Sequence, residues 1–295
     1  MRRGYFPGCS LHSTARECGE SLGAIAGPLG LALEEIEDWS CCGATSAHAT
    51  NHLLAIALAA RNLSLAEAQG IETVMTPCAA CYSRLSAARH EIAADGALAA
   101  RVGAMLERPF ANRVEVESVV EVLRDLAPAI KEKATRPLRG LKIACYYGCL
   151  LVRPEEVTGF DDVEQPTSME TVVEAAGAEP VRWHRRLDCC GGGFALARTG
   201  SVVRLGREIV ADAKAAGAHA IAVACPMCQS NLDLRQRAMA MREDGGADLP
   251  ILFLTQIVGL ALGIEPARLG LRRHFVDTAP VVERGAAAAP SAGAR

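Results

Sequence analysis

Twelve cysteines, at positions 9, 18, 41, 42, 78, 81, 145, 149, 189, 190, 225 and 228, are the residues of this chain with the most chemistry to offer. Ten of them form one pattern written twice. Cys9 is followed after 31 residues by Cys41-Cys42, and after a further 35 by Cys78-Ala79-Ala80-Cys81. Cys149 is followed after 39 residues by Cys189-Cys190, and after a further 34 by Cys225-Pro226-Met227-Cys228. Each first cysteine closes an aromatic-containing turn (Tyr5-Phe6-Pro7-Gly8-Cys9 and Tyr146-Tyr147-Gly148-Cys149), and each adjacent pair precedes a glycine, Gly43 or Gly191. Cys18 and Cys145 fall outside the repeat and read as small buried residues.

Five thiols per copy over-supply a mononuclear zinc site, which takes four ligands in a tetrahedron. Adjacent cysteines project in different directions and chelate one small ion poorly, whereas they can reach two irons of a larger cluster. An ordinary [4Fe–4S] cubane is filled by four thiolates. A fifth implies a spare ligand or a core that is not a cubane. A thioredoxin-type CxxC would leave both CC pairs without a role. A zinc-binding scaffold stays open as an alternative. No GxGxxG follows a strand pattern, so the chain itself is not expected to bind NAD or FAD.

The segments that must position these thiols alternate between strand and helix patterns. Met1–Phe6 and Leu141–Tyr146 read as short strands ending near a cysteine. Thr73–Thr76 and Ala220–Ala224 read as strands running straight into CxxC. His52–Ala68 and Val202–Ala216 carry helical spacing and are stopped by Gly70 and Gly217. Ser83–Ile92 and Leu232–Met241 continue from CxxC as helices, and Val116–Leu126 has a helical pattern. Pro77 and Pro226 suit helix starts. The alternation predicts an α/β fold of two pseudo-symmetric repeats, each a small, mostly parallel sheet flanked by helices, with the thiols gathered at the C-terminal ends of strands. The expected division is a first repeat over 1–135, a second over 136–268, and an extension over 269–295. The extension's low-complexity end, Gly285–Arg295, is expected to be disordered.

The chain has 295 residues, half of them hydrophobic, a formal charge of −3 and a pI of about 6.2. That balance gives no case for nucleic acid or anionic membrane as the main partner. No run of 18 uncharged apolar residues exists, so no membrane span is expected. Two arginines without an apolar segment behind them argue against a secretory signal. Twelve thiols then point to a reducing, cytoplasmic setting and to metal or redox chemistry rather than a disulfide framework.

With these positions laid out, the chain resembles the CCG-domain family, and within it the B-type subunit of heterodisulfide reductase, including the heterodisulfide-reductase-like complexes of bacterial sulfur metabolism. The resemblance runs from Tyr5 to about Gly263. It is strongest at Tyr146–Pro154, Phe160–Pro180 and Asp188–Gly193. It implies two non-cubane [4Fe–4S] clusters. One would rest on Cys9, Cys41, Cys42, Cys78 and Cys81, the other on Cys149, Cys189, Cys190, Cys225 and Cys228. It also implies an oxidoreductase that reduces or forms a disulfide, or handles a carrier-bound sulfur species, between the two. The implied partners are a small iron–sulfur protein of the heterodisulfide reductase C type, a flavoprotein of the A type and a thiol or disulfide substrate. The competing expectation is an electron-transfer CCG subunit of a succinate, lactate or glycolate dehydrogenase-type complex.

Around the thiols, two residues are catalytic candidates. Arg153 lies in the polar segment Arg153–Ser168, which holds much of the second copy's eight extra residues; it could bind an anionic group bidentately. His12, three residues after Cys9, could donate a proton to a released thiolate. The basic run Arg182-Trp183-His184-Arg185-Arg186 is either a docking element or a solvated strand edge. Gly191-Gly192-Gly193 is read as permitting close backbone approach to a cluster.

Overall fold

The structure is a computed structural model that describes residues 1–106, 108–239 and 248–287. Among the described residues, two separate four-stranded sheets repeat one topology. β1 (Arg2–Tyr5), β2 (Ala32–Glu35), β3 (Thr73–Thr76) and β4 (Glu115–Ser118) form the first, in the order β2-β1-β3-β4. β5 (Lys142–Tyr146), β6 (Glu179–Pro180), β7 (Ala220–Val223) and β8 (Ile251–Phe253) form the second, in the order β6-β5-β7-β8. Every pairing is parallel. Helices cover the central strands, which is why β7 is an unbroken apolar run, Ala-Ile-Ala-Val, buried at all four residues. The edge strand β2 carries two glutamates and has no buried residue.

The two halves exchange helices reciprocally. The helix after the first cysteine of one half (Arg16–Ala26, or Ser168–Ala175) packs on the helix after the last strand of the other (Leu254–Ala261, or Val119–Asp125). This is the signature of a pseudo-two-fold axis between the sheets. At the first of these contacts the buried hydroxyls of Ser21 and Thr255 lie 2.7 Å apart. One continuous apolar core runs through both halves. The connection between the sheets is tied down as well, with the Arg136 amide donating to the Ala261 carbonyl and the Thr135 hydroxyl to that of Leu262.

The helix His52–Ala68 has the predicted bounds, but three other readings are corrected. Val116–Leu126 is not one helix: β4 runs to Ser118 and a helix spans Val119–Asp125. Ser118 enforces the break with a reciprocal cap. Its hydroxyl accepts from the Glu121 amide at 3.2 Å, and the Glu121 carboxylate accepts from the Ser118 amide at 2.7 Å. Leu232–Met241 is also not continuous. The helix Pro226–Asp233 stops, and a separate turn covers Gln236–Met239, because the Asp233 carboxylate is drawn to the amides of Phe275 and Val276. Residues 240 and 241 lie outside the described residues. Finally, Gly285 to Ala287 belong to the helix Ala279–Ala287, with Gly285 against Leu138. The rest of the expected disordered end, 288–295, lies outside the described residues.

Candidate functional site

The repeated cysteines sit beyond the C-terminal ends of three neighbouring strands in each sheet. Cys9, Cys41-Cys42 and Cys78 follow β1, β2 and β3; Cys149, Cys189-Cys190 and Cys225 follow β5, β6 and β7. In a sheet ordered 2-1-3-4 this is the topological switch point, where successive connections depart to opposite sides and leave a crevice.

In the first nest Cys9 and Cys41 approach to 3.9 Å, and Cys42 and Cys81 to 3.3 Å. Hydrogen bonds join Cys41 to Cys42 and Cys78 to Cys81. In the second, Cys149 and Cys189 are 3.6 Å apart, Cys190 and Cys228 are 3.4 Å apart, and Cys225 is bonded to Cys228. The nests also touch. The Ala79 amide donates to the Ala224 carbonyl at 3.2 Å, which sets Cys78 beside Cys225, and each of these two thiols shifts the ionisation of the other. Cys9, Cys41 and Cys189 are exposed and Cys149 is half-buried, while Cys42, Cys78, Cys81, Cys190, Cys225 and Cys228 are buried. Each nest therefore opens to solvent at one end and meets its twin at the other.

The backbone is shaped around the sulfurs. Gly8 and Gly148 both have positive φ, +72° and +67°. A Cβ on Gly8 would lie 2.9 Å from the Cys81 sulfur, and one on Gly148 would lie 3.4 Å from that of Cys228. Glycine thus supplies both the left-handed turn and the clearance. The amides of Gly43 and Gly191 donate to the sulfurs of Cys41 and Cys189, at 3.5 and 3.3 Å. Cys78 and Cys225 are the N-cap residues of the helices Ala79–Ala94 and Pro226–Asp233, so the positive ends of two helices converge on the junction. Pro226 is the first residue of its helix, as predicted, but Pro77 lies outside the other, which starts two residues later.

These contacts bias some thiols toward the thiolate form. Hydrogen bonds from Cys41 and Cys81 push the Cys42 thiol far below its ordinary range against the effect of burial. The bond from Cys149 lowers Cys189 to about 6, and bonds from Cys228 and Cys78 lower Cys225. The donating partners Cys41 and Cys149 are raised correspondingly. Metal ligation requires deprotonated sulfur, so the nests are partly prepared for it. Among the described residues no group of three or more His, Cys, Asp or Glu side chains gathers as it would around a single ion. The sulfurs are instead linked pairwise across each nest. A donor set of five thiols, with room left by glycine and with amides aimed at sulfur, fits an iron–sulfur core.

The other predicted residues take quieter places. His12 is exposed, stacks on Trp39 with ring centroids 5.4 Å apart, and lies 3.5 Å from the Glu35 carboxylate. Arg153 is closed into its own loop, donating to Glu164 at 2.7 Å and to the Val163 carbonyl at 2.9 Å. Its pairing is internal, and no hydrogen bond joins it or His12 to a cysteine sulfur among the described residues. Part of the basic run 182–186 is tied into the fold, while the side chains of Arg182 and His184 are exposed. Trp183 is buried and donates to the Cys145 carbonyl, and the amides of His184 and Arg185 donate to Asp212. The Arg186 carbonyl accepts from Tyr147 and Gly148, which fixes the turn before Cys149. Cys18 and Cys145 are buried in the core, as expected. Sequence reasoning missed Arg84 and Asn231. Arg84 lies in electrostatic contact with Cys42 and bonds His48 at 2.7 Å. Asn231 reaches the Cys190 carbonyl at 3.3 Å and its sulfur at 3.8 Å. Both stand three residues after the last cysteine of a CxxC, a spacing that would have exposed them.

A family model described as CCG, cysteine-rich domain, matches residues 4–86 and 143–233. The chain belongs to the CCG family. Its two matched regions contain the two nests, all of β3 and β7 and the C-terminal parts of β1 and β5. The CCG chain is 37% identical over 276 residues to the 8-methylmenaquinol:fumarate reductase membrane anchor subunit of Wolinella succinogenes, covering 92% of this chain and 96% of that one. It is 33% identical over 250 residues to the B subunit of the ferredoxin:CoB-CoM heterodisulfide reductase of Methanosarcina mazei, covering 81% of each. Its fold is similar to the crystal structure of a hypothetical protein from Helicobacter pylori, with a TM-score of 0.71 at 12% identity. That match covers 94% of this chain, which spans about half (52%) of the other. No helix among the described residues is long and apolar enough to cross a membrane.

Proposed function

We propose that the chain is the electron-transfer iron–sulfur subunit of a multisubunit oxidoreductase, with one cluster on Cys9, Cys41, Cys42, Cys78 and Cys81 and a second on Cys149, Cys189, Cys190, Cys225 and Cys228. Two non-cubane [4Fe–4S] clusters are the form that five ligands per nest favour. The meeting of the nests at the Ala79–Ala224 hydrogen bond, with Cys78 and Cys225 on either side of it, carries the reading. It joins two nests with exposed outer sulfurs into one path through the protein, the arrangement a relay needs. The clusters would supply one-electron redox chemistry. The chain's own part is to hold thiolates, to leave space at Gly8 and Gly148, to fix the Cys149 turn through the Arg186 carbonyl and to keep water from the junction. Similarity to the anchor subunit of a menaquinol:fumarate reductase supports a complex of the succinate dehydrogenase type. In this reading the partners are a small iron–sulfur protein and a flavoprotein, and a cytoplasmic setting keeps the thiols reduced. Iron and acid-labile sulfide analysis of anaerobically purified protein tests it. Stoichiometric sulfide, lost when either CxxC is changed to serine, is expected; zinc without sulfide would overturn it.

A second reading, a heterodisulfide reductase-like enzyme acting on a disulfide or carrier-bound sulfur, is favoured by the relatives named as heterodisulfide reductase B subunits and by the completeness of both nests. There His12, three residues after the exposed Cys9, would return a proton to the released thiolate. Low-temperature EPR after adding a thiol to oxidised protein separates the two. A substrate-derived paramagnetic signal requires an iron that a thiol can reach, and the relay reading expects none.

A further inference from the structure

Superimposing the repeats by their cysteines pairs Arg84 with Asn231, each three residues beyond its CxxC, and Ser40 with Asp188, each directly before its CC pair. Both pairs differ in charge, and in the same sense. In the first nest Arg84, half-buried and bonded to His48, holds the position that Asn231 holds in the second, three residues beyond the CxxC, and its guanidinium lies within electrostatic range of Cys42. The matching sulfur of the second nest, Cys190, faces the neutral amide of Asn231. A carboxylate, Asp188, adjoins Cys189, where the first nest has the hydroxyl of Ser40. Arg185 is closed on Asp188 and Glu208, and Arg235 lies beyond Asn231, donating to its oxygen at 3.4 Å and to the Ala195 carbonyl at 2.8 Å.

Reduction adds one negative charge to a centre, so a nearby cation favours the reduced form and an anion opposes it. We propose that Arg84 and Asp188 hold the two centres at unequal reduction potentials, the first being the more easily reduced, so that an electron moves from the second nest to the first across the junction at Cys78 and Cys225. Arg84 is a positioning residue in this sense: it acts on the centre through Cys42. The proposal rests on the reading that both nests carry iron–sulfur clusters. One electron leaves the second centre and enters the first; a one-electron protein donor replaces it at the exposed Cys189 end.

The test is a potentiometric titration of anaerobically purified full-length protein, followed by EPR, with Cys81→Ser and Cys228→Ser used to assign each wave to a nest. The wild type is expected to show two waves at least tenfold apart in reduction equilibrium, which is 59 mV for one electron. Arg84→Gln should move the first-nest wave down by tenfold or more and leave the second in place, and Arg84→Lys should restore it. Asn231→Arg should raise the second wave, which keeps the test alive if Arg84→Gln fails to fold. Coincident waves, a reversed order, or a first-nest wave indifferent to Arg84→Gln would overturn the inequality alone. Protein without acid-labile sulfide would overturn the parent reading and this proposal with it.

Discussion

Three glycine-to-alanine changes separate backbone strain from crowding of the sulfurs. Gly8, Gly148 and Gly30 all have φ near +70°: +72°, +67° and +67°. Placing alanine in that region costs roughly 1–2 kcal/mol in each case. A Cβ at Gly30 meets nothing within 4 Å, so Gly30→Ala measures strain alone. At Gly148 the new carbon would lie 3.4 Å from the Cys228 sulfur, an ordinary contact. At Gly8 it would lie 2.9 Å from the Cys81 sulfur, so that sulfur must retreat about 0.5 Å to reach the spacing seen in the second nest. Cys81 cannot retreat freely, because Cys42 is 3.3 Å away. Gly30→Ala and Gly148→Ala should melt about 2–8 °C lower, at 2–4 °C per kcal/mol, and Gly8→Ala lower still. Gly8→Ala alone should lose the first-nest cluster, halving acid-labile sulfide, while Gly148→Ala and Gly30→Ala keep theirs. Melting curves and sulfide assays on the same anaerobic preparations are sufficient. Full sulfide in Gly8→Ala, with a melting shift no larger than that of Gly30→Ala, would show that the 2.9 Å approach does not constrain the site.

Other expectations follow from single contacts. Ser21→Ala should cost about 1–3 kcal/mol by leaving the buried Thr255 hydroxyl without its partner, Thr255→Val should cost less because the Ser21 hydroxyl still donates to the Cys18 carbonyl at 3.1 Å, and the double variant should recover part of the first cost, a coupling readable in a denaturant double-mutant cycle. Burial raises the Glu121 carboxyl to about 7, above its unfolded value of about 4.3. The native state therefore keeps a proton that the unfolded chain releases, and this group's contribution falls as pH rises from about 4.3 through about 7. Glu121→Gln, which keeps an acceptor for the Ser118 amide, should stabilise the protein by on the order of 2 kcal/mol at about pH 8 and by almost nothing at about pH 4; equal gains at both pH values would refute the assignment. Trp183→Phe should cost about 1–3 kcal/mol, because it leaves the buried Cys145 carbonyl without its 3.0 Å donor. After metal removal and oxidation, peptide mapping should find Cys42–Cys81 and Cys190–Cys228 disulfides ahead of pairs within one CxxC, since these sulfurs already lie 3.3 and 3.4 Å apart.

Much of the candidate site was legible because its donors are rare and their order is repeated. Ten cysteines in C…CC…CxxC order twice over determined the two nests, and βα alternation determined parallel sheets that present them at strand ends. The helix His52–Ala68 was readable to its bounds because Asn51 caps one end, its side chain accepting from the Leu54 amide. Local pattern failed where one residue's hydrogen bonds outweighed periodicity, as at Ser118, whose reciprocal cap with Glu121 turns a helical-looking run into a strand and a helix. It failed again at Arg153, because an arginine in a polar loop looks free until Glu164 is seen folded against it.

The amino-acid order determined by itself which sulfurs would gather into two nests and on what kind of scaffold, because the spacing of cysteines and the hydrophobic period are properties of the chain alone. Only the tertiary structure decided that the two nests meet at Cys78 and Cys225, and that one lies within electrostatic range of a guanidinium while the other faces an amide. Those facts depend on how the halves turn about their shared axis. The packing of Arg16–Ala26 on Leu254–Ala261 and of Ser168–Ala175 on Val119–Asp125 sets that rotation, through contacts more than a hundred residues apart at one end and some fifty at the other, which no local spacing encodes.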